Sequence, residues 1–146
     1  MDLILLITLI GTILTAIGTV ITLVNSARVR KSKNEIINNV RRMNLIEVAE
    51  QLKRAQEEVR KILTSSSTTM RGKNIYEPIL RIQSYMDISL NTVDTEGKDN
   101  DLREKIRETQ NKLNSYTKNQ NKELLPEIQS LIQDSISIAK SRSTII

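Results

Sequence analysis

The chain contains no cysteine, histidine, phenylalanine or tryptophan among its 146 residues, and three tyrosines are its only aromatic side chains. Without cysteine it has no disulfide framework and no thiolate nucleophile, and without histidine it lacks an imidazole base and the common zinc and haem ligands. Phosphate-binding glycine loops, paired catalytic carboxylates and serine nucleophile motifs are also missing from the sequence. We therefore predict a protein that is not an enzyme, with no catalytic residues, cofactor or metal.

Glycine and proline are scarce as well, with four and two copies respectively. Long stretches without either residue favour helices, and a core made of Ile, Leu, Val, Met and Ala suits helices packed side by side. The 119 residues that follow the first 27 are enough for one small domain. The sequence therefore predicts an all-α fold.

The N-terminal segment from Leu3 to Val24 carries no charged residue over 22 positions. At a rise of ~1.5 Å per residue such a helix spans ~33 Å, which matches a hydrocarbon core of ~30 Å. A cleaved signal peptide fits poorly, because Asp2 stands where basic residues are expected and the apolar run is too long. We predict a single transmembrane helix within residues 1–27.

Basic residues follow this segment closely. Residues 28–42 carry a net charge of +5, equal to that of the whole chain. By the positive-inside rule this places the N-terminus outside and the C-terminus in the cytoplasm, in a bacterial inner membrane. We expect the basic residues to contact anionic lipid headgroups or, less simply, a nucleotide or oligonucleotide ligand, and we expect no readout of duplex DNA. They are Arg28, Arg30, Lys31, Lys33, Arg41 and Arg42.

Hydroxyl residues in the apolar segment recur at spacings of 4, 3, 4, 3 and 4, which confines them to one stripe of a helix. Gly11 and Gly18 lie beside this stripe, where they would let helices approach closely. Three interpretations remain open: hydroxyls that line a pore between several copies, hydroxyls that pack in a dry oligomer, or a monomeric anchor whose hydroxyls bond their own backbone. The stripe consists of Thr8, Thr12, Thr15, Thr19, Thr22 and Ser26.

Residues 34–63 read as one long helix that can continue directly from the membrane segment. Its apolar stripe has heptad spacing and predicts either core packing in a bundle or a coiled coil between subunits. Arg41 and Arg42 stand where further apolar residues of the seam are expected, so the coil is interrupted just below the membrane. The stripe consists of Leu45, Val48, Leu52, Ala55, Val59 and Ile62.

Three more helices are predicted, at about 74–93, 102–116 and 123–140, followed by a frayed tail. A polar linker at 64–73, a solvated acidic turn at 94–101 and a polar break at 117–122 separate them, and Asn74 with Glu77 resembles a capping box. We predict that residues 43–146 form a cytoplasmic bundle of about four helices with a coiled-coil-like first helix, an extended stalk being the alternative. Inward positions are Ile75, Ile79, Ile82, Met86 and Leu90, then Leu102, Ile106, Thr109, Leu113 and Tyr116, then Leu124, Ile128, Leu131, Ile132, Ile136 and Ala139.

With one hydroxyl-striped span, a basic segment below it and a helical domain, the architecture resembles the small single-span oligomeric membrane effectors of bacterial anti-phage defence systems. The resemblance implies a homo-oligomeric ion channel or pore, opened when a nucleotide signal or a regulatory protein binds the cytoplasmic domain. It rests on architecture and carries no diagnostic motif, so no functional residue is transferred.

Two other functions remain open. A membrane-tethered coiled-coil adaptor or signalling protein would use the same helical domain and would not conduct. A phage lysis protein of the holin type would use the same span, although such a role does not require so large a cytoplasmic domain.

Overall fold

The computed structural model describes residues 3–65, 76–93 and 97–145, which form four α-helices and no strand. These are α1 (Leu3–Ser65), α2 (Tyr76–Thr92), α3 (Asn100–Asn119) and α4 (Leu124–Ile145). The chain divides into two compact units, Met1–Asn39 and Val40–Ile146, and α1 contributes residues to both. The predicted all-α class is confirmed, and the apolar segment and residues 34–63 lie in one continuous helix, the continuation that the sequence allowed.

The first unit is a single stretch of α1. Its described side chains, from Ile7 to Asn39, are all exposed. By length and composition α1 is the one helix in the described part of the chain that is apolar enough to cross a membrane. None of these described apolar side chains is covered by another part of the same chain, so residues 7–39 form no core of their own.

The second unit is a bundle in which the rest of α1 packs with α2, α3 and α4. All six residues of the predicted α1 stripe, from Leu45 to Ile62, are buried, and so are all five predicted inward residues of α3. The stripe therefore packs within the bundle of its own chain, which decides between the two interpretations given above. Ile75 lies outside the described residues, Leu90, Leu124 and Leu131 are half-buried, and the remaining predicted inward positions on α2 and α4 are buried.

Polar pairs on the bundle surface show that neighbouring helices run antiparallel. Between α3 and α4, Lys105 pairs with Asp134 and, further along α3, Lys112 pairs with the earlier Glu127. The same reversal holds between α2 and α3, where Gln83 bonds Asn114 and Asp87 accepts a bond from Gln110.

Two contacts join α1 to α4 and to α2 and so complete the four-helix bundle. Gln56 donates to Gln133 of α4 at 2.7 Å, and Glu58 lies 4.0 Å from the guanidinium of Arg81 on α2. The arrangement is an up-down-up-down bundle of the kind that short connections favour.

The C-terminal end differs from the prediction. The last helix does not end at Lys140 with a frayed tail, because α4 continues to Ile145. Ser143 is buried and donates to the carbonyl of Lys140, and Arg142 makes ion pairs with Asp99, just before α3, and with Asp101 in the first turn of α3. Contacts with the rest of the bundle hold this last turn in place, and local sequence gives little sign of them.

Connections between helices fit the predictions in part, because the predicted solvated turn at 94–101 contains the buried Asp99 and the start of α3, and α3 continues to Asn119 inside the predicted break. Gly97 has φ of +90°, a conformation that glycine adopts without strain, and Gln120 ends α3 in the left-handed region. Most of the predicted linker, together with Asn74 of the capping box, lies outside the described residues. Glu77, the other member of that box, pairs instead with Arg81 one turn later.

Candidate functional site

The hydroxyl stripe of the N-terminal unit lies on an unbroken helix. Thr12, Thr15, Thr19 and Thr22 each donate their hydroxyl hydrogen to the backbone carbonyl four residues earlier, at 2.9 to 3.2 Å. Thr12 also lies 2.8 Å from the carbonyl of Leu9. This bond is the one open to threonine in any helix, because its hydroxyl reaches the preceding turn.

These bonds fix what the stripe presents to its surroundings. A hydroxyl has one donor hydrogen and two acceptor lone pairs, and here the hydrogen points into the helix. The exposed face of the stripe therefore offers oxygen lone pairs and methyl groups. A second helix with the same bonds would add no donor of its own, so the exposed oxygens can accept hydrogen bonds from water or from other donors.

Gly11 and Gly18 lie beside the stripe on a surface that is open in the single chain. A Cβ atom built on either glycine meets no other atom within 4 Å. Nothing within one copy therefore requires glycine at these positions, and their predicted role in close helix packing stays a prediction.

The basic residues below the apolar segment are not equivalent. Arg28, Arg30, Lys31, Lys33 and Arg42 are exposed, so their charges are available to an external anion. Their predicted contact with anionic lipid or a ligand stays a prediction.

Arg41 differs because it belongs to a buried ion cluster. Its guanidinium forms two bonds with the carboxylate of Asp99, at 2.8 and 2.7 Å. Asp99 is 1% exposed and also accepts a bond of 2.8 Å from Arg142, which in addition bonds Asp101 and the carbonyl of Lys98. The carboxylate of Asp99, the residue just before α3, thus joins the start of the bundle's α1 segment to the last turn of α4.

The cluster stabilises the ionised form of its carboxyl group. The hydrogen bond from Arg41 lowers the pKa of Asp99 below its ordinary value, an effect that burial opposes and the bond from Arg142 reinforces. The same contacts raise the pKa of Arg142, chiefly through its bond to Asp99.

Sequence reasoning missed the role of Asp99, since residues 94–101 were expected to form a solvated turn. Asp99 immediately precedes α3 but makes no side-chain capping bond, because both carboxylate oxygens face arginines. A signal was present in the sequence. Arg41 lies four residues before Leu45 on the inward stripe, and a buried guanidinium at such a position requires an acidic partner.

Within the described ranges, no group of histidine, cysteine or acidic side chains is arranged to hold a metal ion. Comparison of the chain with protein-family models, curated proteins and solved structures finds no match in any of the three.

Proposed function

We propose that this protein is a single-span membrane protein whose copies associate through the hydroxyl stripe and surround a narrow conduit for ions. The observation that carries the proposal is the sorting of six hydroxyl residues onto one face of an otherwise apolar helix. For a single helix surrounded by lipid, placing all the hydroxyls on one face has no advantage. When that face is turned toward other copies and water, the hydroxyl oxygens no longer contact the hydrocarbon.

The hydroxyl bonds favour a particular kind of conduit. Because the threonine hydrogens point back to their own helix, a ring of copies would direct oxygen lone pairs toward the axis. Oxygen atoms are the ligands that hard cations prefer, and the stripe has no charged residue, so selectivity is weak and in favour of cations.

The other parts of the chain fit this role. The exposed basic residues Arg28, Arg30, Lys31 and Lys33 contact anionic headgroups on the cytoplasmic side. The bundle is the cytoplasmic domain on which a regulatory protein or an anionic signal such as a nucleotide acts. Uncontrolled opening would depolarise the cell membrane and arrest growth, as the architectural resemblance to defence effectors implies.

A membrane-tethered adaptor that does not conduct is the second candidate. One observation favours it: the four threonines already satisfy their hydroxyl hydrogens within the helix, so they do not require water. In that case the stripe would serve only to pack helices.

Ion flux from liposomes that contain the purified full-length protein distinguishes the two candidates. Replacing Thr12, Thr15 and Thr19 together with valine keeps their shape and removes their oxygens, and we expect flux to fall to the level of empty liposomes. The matched control is serine at the same three positions, which keeps the oxygens and should retain flux. Equal flux from the valine and serine variants would contradict the conduit.

A further inference from the structure

Arg142 in the last turn of α4 is held by three acceptors but keeps donor hydrogens to spare. It donates to the carboxylate of Asp99 at 2.8 Å and to the carbonyl of Lys98 at 3.0 Å, and it also bonds Asp101. Three of the five N–H hydrogens of the guanidinium are used in this way, and the other two have no acceptor among the described residues. Because the side chain is 27% exposed, a ligand in solvent can reach this guanidinium.

An open depression of about 300 Å³ lies beside this guanidinium, within the second unit. It is lined by the segment of α4 from Ser137 to Arg142 and by Asp101 in the first turn of α3. Its volume reaches the lower end of the range for small-molecule sites. The half-buried Ile138, which packs against the core, is its apolar side. The depression therefore has room for a small ligand with one polar and one apolar part.

Two serine hydroxyls line the depression. Elsewhere on α4, Ser135 and Ser143 donate to carbonyls of their own helix. Ser137 and Ser141 make no hydrogen bond with any part of the chain that the structure describes. They are four residues apart, so both lie on the face of α4 that carries the depression. The depression thus brings two available hydroxyl donors next to a guanidinium with two available hydrogens.

The charges around the depression favour an anion. Asp101 is the acidic residue of the lining, and it is 58% exposed, so its carboxylate can turn to solvent when another anion takes its place. Asp99 is buried and also binds Arg41, so it stays with the cluster. The residues bonded in the ion cluster carry one net positive charge. They are Arg41, Lys98 and Arg142 against Asp99 and Asp101.

We propose that this depression binds the phosphate group of a small organic phosphate, which displaces the carboxylate of Asp101 from Arg142. Arg142 donates its two remaining hydrogens, and Ser137 and Ser141 their hydroxyl hydrogens, to the phosphate oxygens, while Ile138 contacts the organic part. A guanidinium suits phosphate because its donors form a rigid fork, whereas a cation would be repelled by it. The inference rests on the proposed function, because it names a site at which an anionic signal acts on the bundle.

A short path within the bundle connects this site to α1. Arg142 binds Asp99, and Asp99 binds Arg41 through both carboxylate oxygens. A phosphate on Arg142 therefore acts on the same guanidinium that holds the last turn of α4 to the start of the bundle's α1 segment.

Binding of phenyl phosphate to the full-length protein in detergent tests the site. Phosphorus NMR follows the titration at constant ionic strength, with chloride as the reference anion. Ser137→Ala combined with Ser141→Ala should weaken binding about tenfold, because two hydroxyl donors are lost. The matched control Ser130→Ala changes an exposed serine about two turns earlier on α4 and should leave the affinity unchanged. Equal affinities of the double variant and the control, or no binding by the wild type, would overturn the proposal.

Asp101→Asn supplies a readout of the opposite sign. It removes the competing negative charge but keeps the shape of the side chain, so phenyl phosphate should bind about tenfold more tightly than to the wild type. The matched control Asp87→Asn removes an exposed carboxylate from α2, outside the depression, and should leave the affinity unchanged. Unchanged or weaker binding by Asp101→Asn would contradict an anion site.

A soluble molecule and a phospholipid headgroup are two sources of such a phosphate group. Adenosine monophosphate that displaces phenyl phosphate from the protein in nanodiscs of neutral lipid would identify a soluble source. Loss of phenyl phosphate binding when the nanodiscs contain phosphatidate, without displacement by adenosine monophosphate, would identify a headgroup. Either result supports the site.

Ion flux from liposomes separates this proposal from the conduit. Binding of phenyl phosphate by a protein that gives no flux would retain the site and remove the conduit. Flux from a protein that does not bind phenyl phosphate would retain the conduit and remove the site.

Discussion

Hydroxyl groups occur in both units of the molecule and make the same bond in each. In the bundle, Ser89, Thr109 and Ser135 are fully buried and donate to the carbonyl four residues earlier. In the N-terminal unit, Thr15 and Thr19 make that bond while exposed. The bond itself therefore does not distinguish a core position from a surface position. The two kinds of position differ in whether other side chains cover the hydroxyl-bearing residue.

In the bundle the chain supplies its own covering surfaces, and for the described side chains of the N-terminal unit, residues 7–39, it supplies none. A stripe of buried residues needs a partner face, which α1 finds on α2 and α4 through contacts such as Glu58 with Arg81 and Gln56 with Gln133. The hydroxyl stripe is equally regular, but its side chains are exposed in a single copy. The difference indicates that the bundle buries its own apolar surface, whereas the described apolar side chains of the N-terminal unit stay exposed in a single copy.

The largest expected effect on unfolding comes from the bundle core. Ile106→Ala removes three carbon atoms from a fully buried side chain of α3 and should lower the free energy of unfolding by about 3 to 4 kcal/mol. The matched control is Ile13→Ala in the N-terminal unit, where the side chain is half exposed and touches no core. Urea unfolding of the full-length protein in detergent, followed by circular dichroism, should show no shift for this control. Comparable losses from both variants would contradict the division into two units.

Most of this fold was accessible from sequence because the core stripes are long and strictly periodic. Leu45 to Ile62 and Leu102 to Tyr116 follow heptad spacing, and every predicted member is buried. The predictions that failed concern positions where tertiary contacts outweigh the local sequence pattern. Ser135 is buried although serine is usually exposed, and the last turn of α4 is held by Arg142, whose partners are 41 and 43 residues away in sequence.

The candidate site was predicted only in part, for a related reason. Spacing alone places the hydroxyls on one stripe, since a continuous helix fixes the angle between residues three and four positions apart. The cluster around Asp99 requires three distant segments to meet, and no periodicity encodes that. What covers the hydroxyl stripe depends on other molecules and cannot be read from one chain.

The second largest effect is expected at the ion cluster. Asp99→Asn leaves Arg41 and Arg142 without their shared carboxylate, and breaking a buried ion pair costs about 3 to 5 kcal/mol. Because the two arginine side chains are 17% and 27% exposed, water recovers part of this cost, and we expect a loss of about 2 to 3 kcal/mol at pH 7. The control Asp134→Asn removes a surface pair with Lys105 and should cost less than about 0.5 kcal/mol.

The effect of Asp99 should depend on pH with a defined sign. The pKa of Asp99 is lower in the folded protein than its ordinary value of 3.8, so the ionised form stabilises the fold. This contribution is complete above the unfolded pKa and is lost as the pH falls through the lower folded pKa. The difference in unfolding free energy between the wild type and Asp99→Asn should therefore be constant from pH 7 to about 5 and shrink below about pH 4. A difference that grows on acidification would contradict the assigned cluster.

The smallest effect tests whether the same hydroxyl bond has different consequences in the two units. Ser135→Ala removes a buried hydroxyl whose hydrogen bonds its own helix, and alanine is the better helix former, so the unfolding free energy should change by less than about 1 kcal/mol. Replacing Thr12, Thr15 and Thr19 with valine removes the same kind of bond but should abolish ion flux. If Ser135→Ala unfolded the bundle, hydroxyls would be structural in both units. The loss of flux could then come from a distorted helix, and the serine variant at the three threonine positions would decide between the two causes.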